Sequence, residues 1–188
     1  ASTAAVEPVV EAVRTGKVEE AKVMWSALRE LGADFAKTGT AAVEPVVEAV
    51  RQGKVEEAKM MWSVLKEMGA SIDGTTDRED MEKGTAIYTA AYNGEVEVIR
   101  VLHELGANLK SLRGAYDAAM TTQHYDVADM LKELIAIHPD TLKQEMQKME
   151  DGVNQSIRNL RGLSEDNQKG ALKKWMRKMK KQRKEAVK

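Results

Sequence analysis

Sliding the chain along itself by 37 residues lays residues 3–35 on residues 40–72, and 26 of the 33 positions are identical. Any fold of this chain must therefore house the same unit twice in tandem. The differences are mild: Val23 becomes Met60, Ala27 becomes Val64, Arg29 becomes Lys66 and Leu31 becomes Met68. Each copy reads as two short helices. The stretch Glu-Pro-Val-Val-Glu-Ala-Val-Arg occupies 7–14 and again 44–51. Pro8 and Pro45 suit a helix start, where a missing N–H loses no helical hydrogen bond. Gly16 and Gly53 end these helices, and a second helix is predicted from near Val18 and Val55. In it Val55, Ala58, Trp62 and Leu65 recur at helical spacing with Lys and Glu on the other side. Gly32 and Gly69 close the units. A pair of helices this short cannot bury its own apolar face, so it needs neighbours on both sides.

Two further pairs follow. Thr85 opens a short helix with Ile87, Ala90 and Ala91 on one face, Asn93-Gly94 breaks it, and Val98, Val101, Leu102 and Leu105 continue as a second helix that Gly106 ends. The fourth pair runs through 115–120 and 126–135, lacks the glycine between its helices and slips by one residue near Gln123, as a capping repeat does. The segment 71–83 between the second and third pairs is longer and more polar than the loop after Gly32, and is predicted to be exposed.

The stretch Thr-Ala-Ile-Tyr-Thr-Ala-Ala-Tyr-Asn-Gly at 85–94, with Glu-Val-Glu-Val-Ile-Arg-Val-Leu-His-Glu-Leu-Gly-Ala-Asn at 95–108, resembles an ankyrin repeat. The Ala-Ala pair, the middle glycine and the Gly-Ala-Asn ending carry the likeness, while the family's Thr-Pro-Leu-His opening is degenerate. Residues 44–53 align with 85–94 without a gap, and Pro45 falls on the family's proline. The departure is in the second helix: Gly53 to Gly69 spans 16 residues where Gly94 to Gly106 spans 12. Four extra residues are close to one helical turn, so the buried face keeps its phase. The resemblance implies an all-α fold, an α-solenoid of about four ankyrin-like helical hairpins over 1–138. It also implies a binding face made of first helices and inter-repeat loops, which points to Tyr88, Tyr92, Asp77 and Arg78 as partner-binding residues. A rival resemblance attaches to 53–69, which is similar to the second helix of a pentatricopeptide repeat and would imply binding of single-stranded RNA.

Pro139 separates these units from a C-terminal amphipathic helix predicted over 139–163. Leu142, Met146, Met149, Val153, Ile157 and Leu160 form its stripe, Thr141 with Gln144 its capping box, and Gly162 its end. A basic helical tail, 164–188, follows. The near-neutral total conceals this division, because residues 158–188 hold twelve Lys and Arg against three acidic residues and the preceding residues carry a net charge of −10. In the tail Leu172, Trp175, Met176 and Met179 share one side, with basic residues around the rest. Lys173, Lys174, Trp175, Arg177, Lys178 and Lys181 are its candidate partner-binding residues. The chemistry fits an anionic surface: acidic protein such as the groove of a calmodulin-like protein, nucleic acid, or anionic lipid with Trp175 among the headgroups. The other reading is a solvated helix, or one whose basic face lies on the acidic remainder of the chain.

Nothing in the pattern suggests catalysis or a cofactor. The chain has no cysteine, which removes disulfides, thiolate metal sites and a cysteine nucleophile together. His103, His124 and His138 lack the i+3 or i+4 pairing of a helical metal site, and no Gly-rich phosphate loop is present. Trp25 and Trp62 hold equivalent positions and read as fillers between stacked hairpins, with an exposed ladder of anchors as the competing reading. No apolar run reaches the roughly 20 residues that span a bilayer. Ala-Ser-Thr-Ala-Ala at the start suits a trimmed N-terminus, and simple removal of Met before Ala would look the same. Cytoplasm and organelle interior both stay open. The expected role is a non-catalytic scaffold or accessory subunit that contacts other protein subunits through the repeat face and the tail. The alternatives are a nucleic-acid binder, or a tail that engages calmodulin or anionic membrane.

Overall fold

The computed structural model describes residues 6–75, 83–162 and 165–186. Among these the protein is all-α. Its helices are α1 (Glu7–Arg14), α2 (Val18–Glu30), α3 (Glu44–Arg51), α4 (Val55–Glu67), α5 (Ala86–Tyr92), α6 (Val96–Glu104), α7 (Leu109–Thr121), α8 (Tyr125–Ile137), α9 (Pro139–Arg161) and α10 (Glu165–Ala186). An isolated bridge between Thr75 and Thr85 is the sole β pairing among the described residues. The chain divides into two compact units, Ala1–His138 and Pro139–Lys188.

One turn recurs four times in the first unit. The N–H of Lys17, Lys54, Glu95 and His124 donates back across the end of the first helix of its pair to the carbonyl of Ala12, Ala49, Ala90 and Ala119. This six-residue closure satisfies a carbonyl left open by the helix end and requires a left-handed residue just before the donor. Gly16, Gly53 and Gly94 supply it with φ of 77°, 75° and 74°. In the fourth pair the same place falls to Gln123, at φ 61°. The backbone thus keeps the turn that the sequence abandons, and the one-residue slip lies in α7, not in the connection. Second helices close the same way, with the N–H of Ala33, Ala70 and Ala107 on the carbonyls of Leu28, Leu65 and Leu102.

Two helix starts differ from the sequence expectation. The first helix of the fourth pair begins at Leu109, six residues before the expected motif, because the Asn108 side chain accepts the Ser111 N–H and caps it there. The Asp73 carboxylate accepts the Asn108 N–H at 3.0 Å, tying the loop after α4 to that cap. Helix α9 begins at Pro139, so Thr141 stands inside its first turn and its hydroxyl, buried and without a hydrogen-bond partner, is not a cap. Glycine is demanded by a close approach at Gly74, where an added Cβ would run into the Gly39 carbonyl.

Each first helix packs on its second: α1 on α2, α3 on α4, α5 on α6 and α7 on α8. Contacts also cross between pairs, from α1 to α4, α3 to α6 and α5 to α7. One continuous core results, from Val9 and Ala21 through Val46, Leu65, Ile87, Ile99 and Leu102 to Leu112 and Leu131. The duplication shows what a neighbour contributes. Leu31 is 83% exposed, whereas its counterpart Met68 is 6% exposed. Pro8 is exposed where Pro45 is buried, and Met24 is half-buried where Met61 is buried. The residues are nearly the same; the second pair has helices on both sides and the first has them on one, among the described residues. The tryptophans obey the same rule. Trp62 is 4% exposed, with its indole N–H lacking a partner, and Trp25 is half-buried against the Phe35 ring at 4.5 Å between centroids.

Charge joins α3 to the third pair. The Arg51 guanidinium makes two hydrogen bonds to the Glu95 carboxylate, at 2.7 and 3.0 Å. Glu95 follows Gly94 just as Lys54 follows Gly53, so Arg14 meets no carboxylate at the corresponding place. It pairs with Glu11 of its own helix instead. Arg51 holds the Glu95 carboxyl below its ordinary range, with a smaller contribution from Asn93 and against the effect of burial.

In the second unit α9 and α10 touch each other. Val153, Ser156 and Leu160 of α9, and Gln168, Ala171, Trp175 and Met179 of α10, are half-buried at spacings of three and four. No residue of α9 is fully buried.

Three outcomes are expected. Trp62→Ala should cost about 3–5 kcal/mol in chemical unfolding, and Trp25→Ala clearly less, although the two replace the same residue at equivalent sites. Gln123→Gly should raise stability by about 1 kcal/mol by relieving the left-handed backbone; a loss of stability would mean that the Gln123 side chain matters more than its φ. For the ion pair, Glu95→Gln should cost on the order of 1 kcal/mol at neutral pH, since Arg51 is partly solvated. A depressed carboxyl stabilises above its unfolded pKa of about 4.3, and that gain is lost as pH falls through the lower folded value. The difference between wild type and Glu95→Gln in urea midpoint should therefore shrink as the pH falls below that of a free glutamate.

Candidate interaction surfaces

The sequence-predicted residues lie in separate places. Tyr88 is half-buried on α5 against the core, and Tyr92, one turn on, is 52% exposed at the end of that helix. Asp77 and Arg78 lie outside the described residues. Lys173, Lys174, Arg177, Lys178 and Lys181 are exposed on α10, in the second unit, while Trp175 on the same helix is half-buried. The structure thus groups the tyrosines on one helix and the basic residues on another. Among the described residues it brings no three His, Asp or Glu side chains together in a way that would hold a metal ion. His103 is half-buried with its Nδ1 unpartnered; burial, and next the neighbouring His138, make it less basic than a free imidazole.

A surface that residue patterns did not single out lies between α1 and α3. There the two copies of the repeated octapeptide border a groove of about 600 Å³. Its apolar lining comes from Val6, Pro8 and Val10 of one copy and Ala41 and Pro45 of the other. Glu7 and Glu11 stand on α1, Glu44 and Glu48 on α3, and Arg14 is the single basic residue of the lining. The carboxylates are exposed. Arg14 is bound to Glu11 at 2.6 Å. Arg51 reaches Glu44 and Glu48 only at 3.7 and 3.8 Å, its shorter contacts being those to Glu95. Glu7 makes no ion pair among the described residues. The groove is therefore lined by apolar side chains and four carboxylates, three of them within reach of Arg14 or Arg51.

The signal for it was present in the duplication. Repeating an octapeptide with Glu at its first and fifth positions puts two carboxylates on one face of each helix, one turn apart. Setting the helices side by side sums the two pairs. What sequence alone withheld was that these faces border a common opening.

A smaller recess of about 210 Å³ lies between α2 and α4, where Lys22, Trp25, Ser26 and Arg29 face Val64, Glu67 and Met68. Its lining mixes charge signs and accounts for the half-open Trp25. On α10, Leu172 and Met176 remain 45% and 51% exposed beside the half-buried seam. They are one turn apart, and Lys169, Lys173, Arg177 and Lys180 surround them in sequence. No helix among the described residues is long and apolar enough to cross a membrane. Compared with known proteins, the chain matches no family model and no curated sequence.

Proposed function

We propose that the protein is a non-catalytic interaction scaffold, an accessory subunit of a larger assembly, whose first unit is an α-solenoid of four ankyrin-like hairpins. Four pairs closed by one shared hydrogen-bond pattern, with core contacts running from pair to pair, support the solenoid reading. The observation that carries the function is the groove between α1 and α3, lined by apolar side chains and four carboxylates from the duplicated helix. A charged rim around such a groove selects which partner enters. The basic helix α10 is a second contact of opposite sign. Two contacts on one chain raise the effective concentration of the second once the first has formed, so binding exceeds what either achieves alone.

A second reading, binding of nucleic acid, is favoured by the density of Lys and Arg on α10. Both readings meet in one experiment. The intact chain and a chain lacking residues 164–188 are used as baits in extracts of the source cells, with and without nuclease. Loss of the tail should reduce recovery of the co-purifying proteins at least about tenfold while the helical content of the remainder persists. Unchanged recovery would contradict the two-contact scaffold, and recovery abolished by nuclease would favour nucleic acid.

A further inference from the structure

We infer that the groove between α1 and α3 receives helix α10 of a second copy of this chain. The inference rests on the scaffold reading and names one partner for its groove. The argument is complementarity of charge and shape. The groove offers four carboxylates, of which Glu11 is bound to Arg14 and Glu44 and Glu48 lie 3.7 and 3.8 Å from Arg51, and an apolar lining including Pro8, Val10 and Pro45. Helix α10 offers the inverse: an exposed apolar edge, Leu172 and Met176, with Lys173 and Arg177 as the next residue after each. Both members have the period of one helical turn. Glu7 and Glu11, like Glu44 and Glu48, are four residues apart, as are Leu172 and Met176 and likewise Lys173 and Arg177. A helix laid between α1 and α3 would place its apolar pair among the apolar lining residues and Lys173 with Arg177 along one row of glutamates, an amphipathic helix in a groove.

The apolar arc of α10 is wide enough for two uses. The half-buried positions Ala171, Trp175 and Met179 form the seam of the second unit, and Leu172 and Met176 lie beside it. Docking on this edge uses residues other than those of the seam. Each copy carries both a groove and a basic helix, so the contact is heterologous. It closes if two copies exchange helices reciprocally and otherwise extends to further copies. The contact also offsets the charge imbalance between the acidic part of one chain and the basic end of another, so it weakens as salt screens them.

Sedimentation velocity of the full chain across a concentration series tests this, at about 0.1 M salt and about 1 M salt, where the screening length falls from roughly 10 Å to roughly 3 Å. The intact chain should self-associate at low salt, with an affinity at least about tenfold weaker at high salt. Two charge-reversed chains are compared with it, Glu7→Lys with Glu44→Lys in the groove and Lys173→Glu with Arg177→Glu on α10. All four positions are exposed, and circular dichroism verifies that both chains keep their helices. Each alone should be monomeric, and an equimolar mixture of the two should associate again, because the unaltered helix of the first variant still fits the unaltered groove of the second, while the two reversed surfaces also match each other. A wild-type chain that stays monomeric throughout, association that neither reversal disturbs, or failure of the mixture to recover it would overturn the proposal. A monomeric chain that still holds its co-purifying proteins would overturn the self-association alone and leave the scaffold reading standing.

Discussion

Everything in the first unit depends on mutual covering of short helices. Helices α1, α3 and α5 have only eight, eight and seven residues, well under the length at which a helix persists by itself in water. Their stability is borrowed from packing, first on the second helix of the pair and then on the next pair. The comparison of equal residues in unequal surroundings makes this concrete. Pro8 and Pro45, or Trp25 and Trp62, have the same chemistry, and among the described residues the member with helix pairs on both sides is the more covered one. The polar closures serve that arrangement. A left-handed residue folds the chain back within one turn, and the hydrogen bond to an alanine carbonyl fixes how the two helices meet.

Much of this was legible in the residues. The 37-residue duplication announced a repeated helix pair, the prolines marked where first helices start, and Gly16, Gly53 and Gly94 marked where they end. What the residues hid was hidden for physical reasons. Gln123 has the same backbone role as those glycines, but a residue that tolerates a left-handed φ only with strain gives no compositional sign of it. The early start of α7 depends on Asn108, a cap whose loop is held by Asp73, 35 residues away. Such a contact has no local signature. The second copy's Arg51 finds Glu95, while the first copy's Arg14 turns back to Glu11, because the residue after the closing glycine differs in charge. Duplicated sequence does not force duplicated interactions at the edges of a unit.

The surfaces divide in the same way. The basic character of α10 was plain from counting charges. The acidic groove was not, since its glutamates are ordinary solvated helix residues until two helices bring them to one opening. Its location follows from the covering rule: first helices that contact neighbours at their flanks keep one face free, and in the duplicated pairs that face repeats the same glutamates. A surface that repeats with the fold suits a partner that is itself periodic, and a helix is the simplest such partner.

The central claim, that each pair is held by its neighbours, is tested most directly by native-state hydrogen exchange at the four closing amides, those of Lys17, Lys54, Glu95 and His124. Each donates an equivalent bond, so differences among them report the stability of the pair and not of the turn. The account requires the Lys54 and Glu95 amides, in pairs flanked on both sides, to exchange more slowly than that of Lys17, in the pair flanked on one. Equal protection at Lys17 and Lys54, or a second pair that opens more readily than the first, would contradict it.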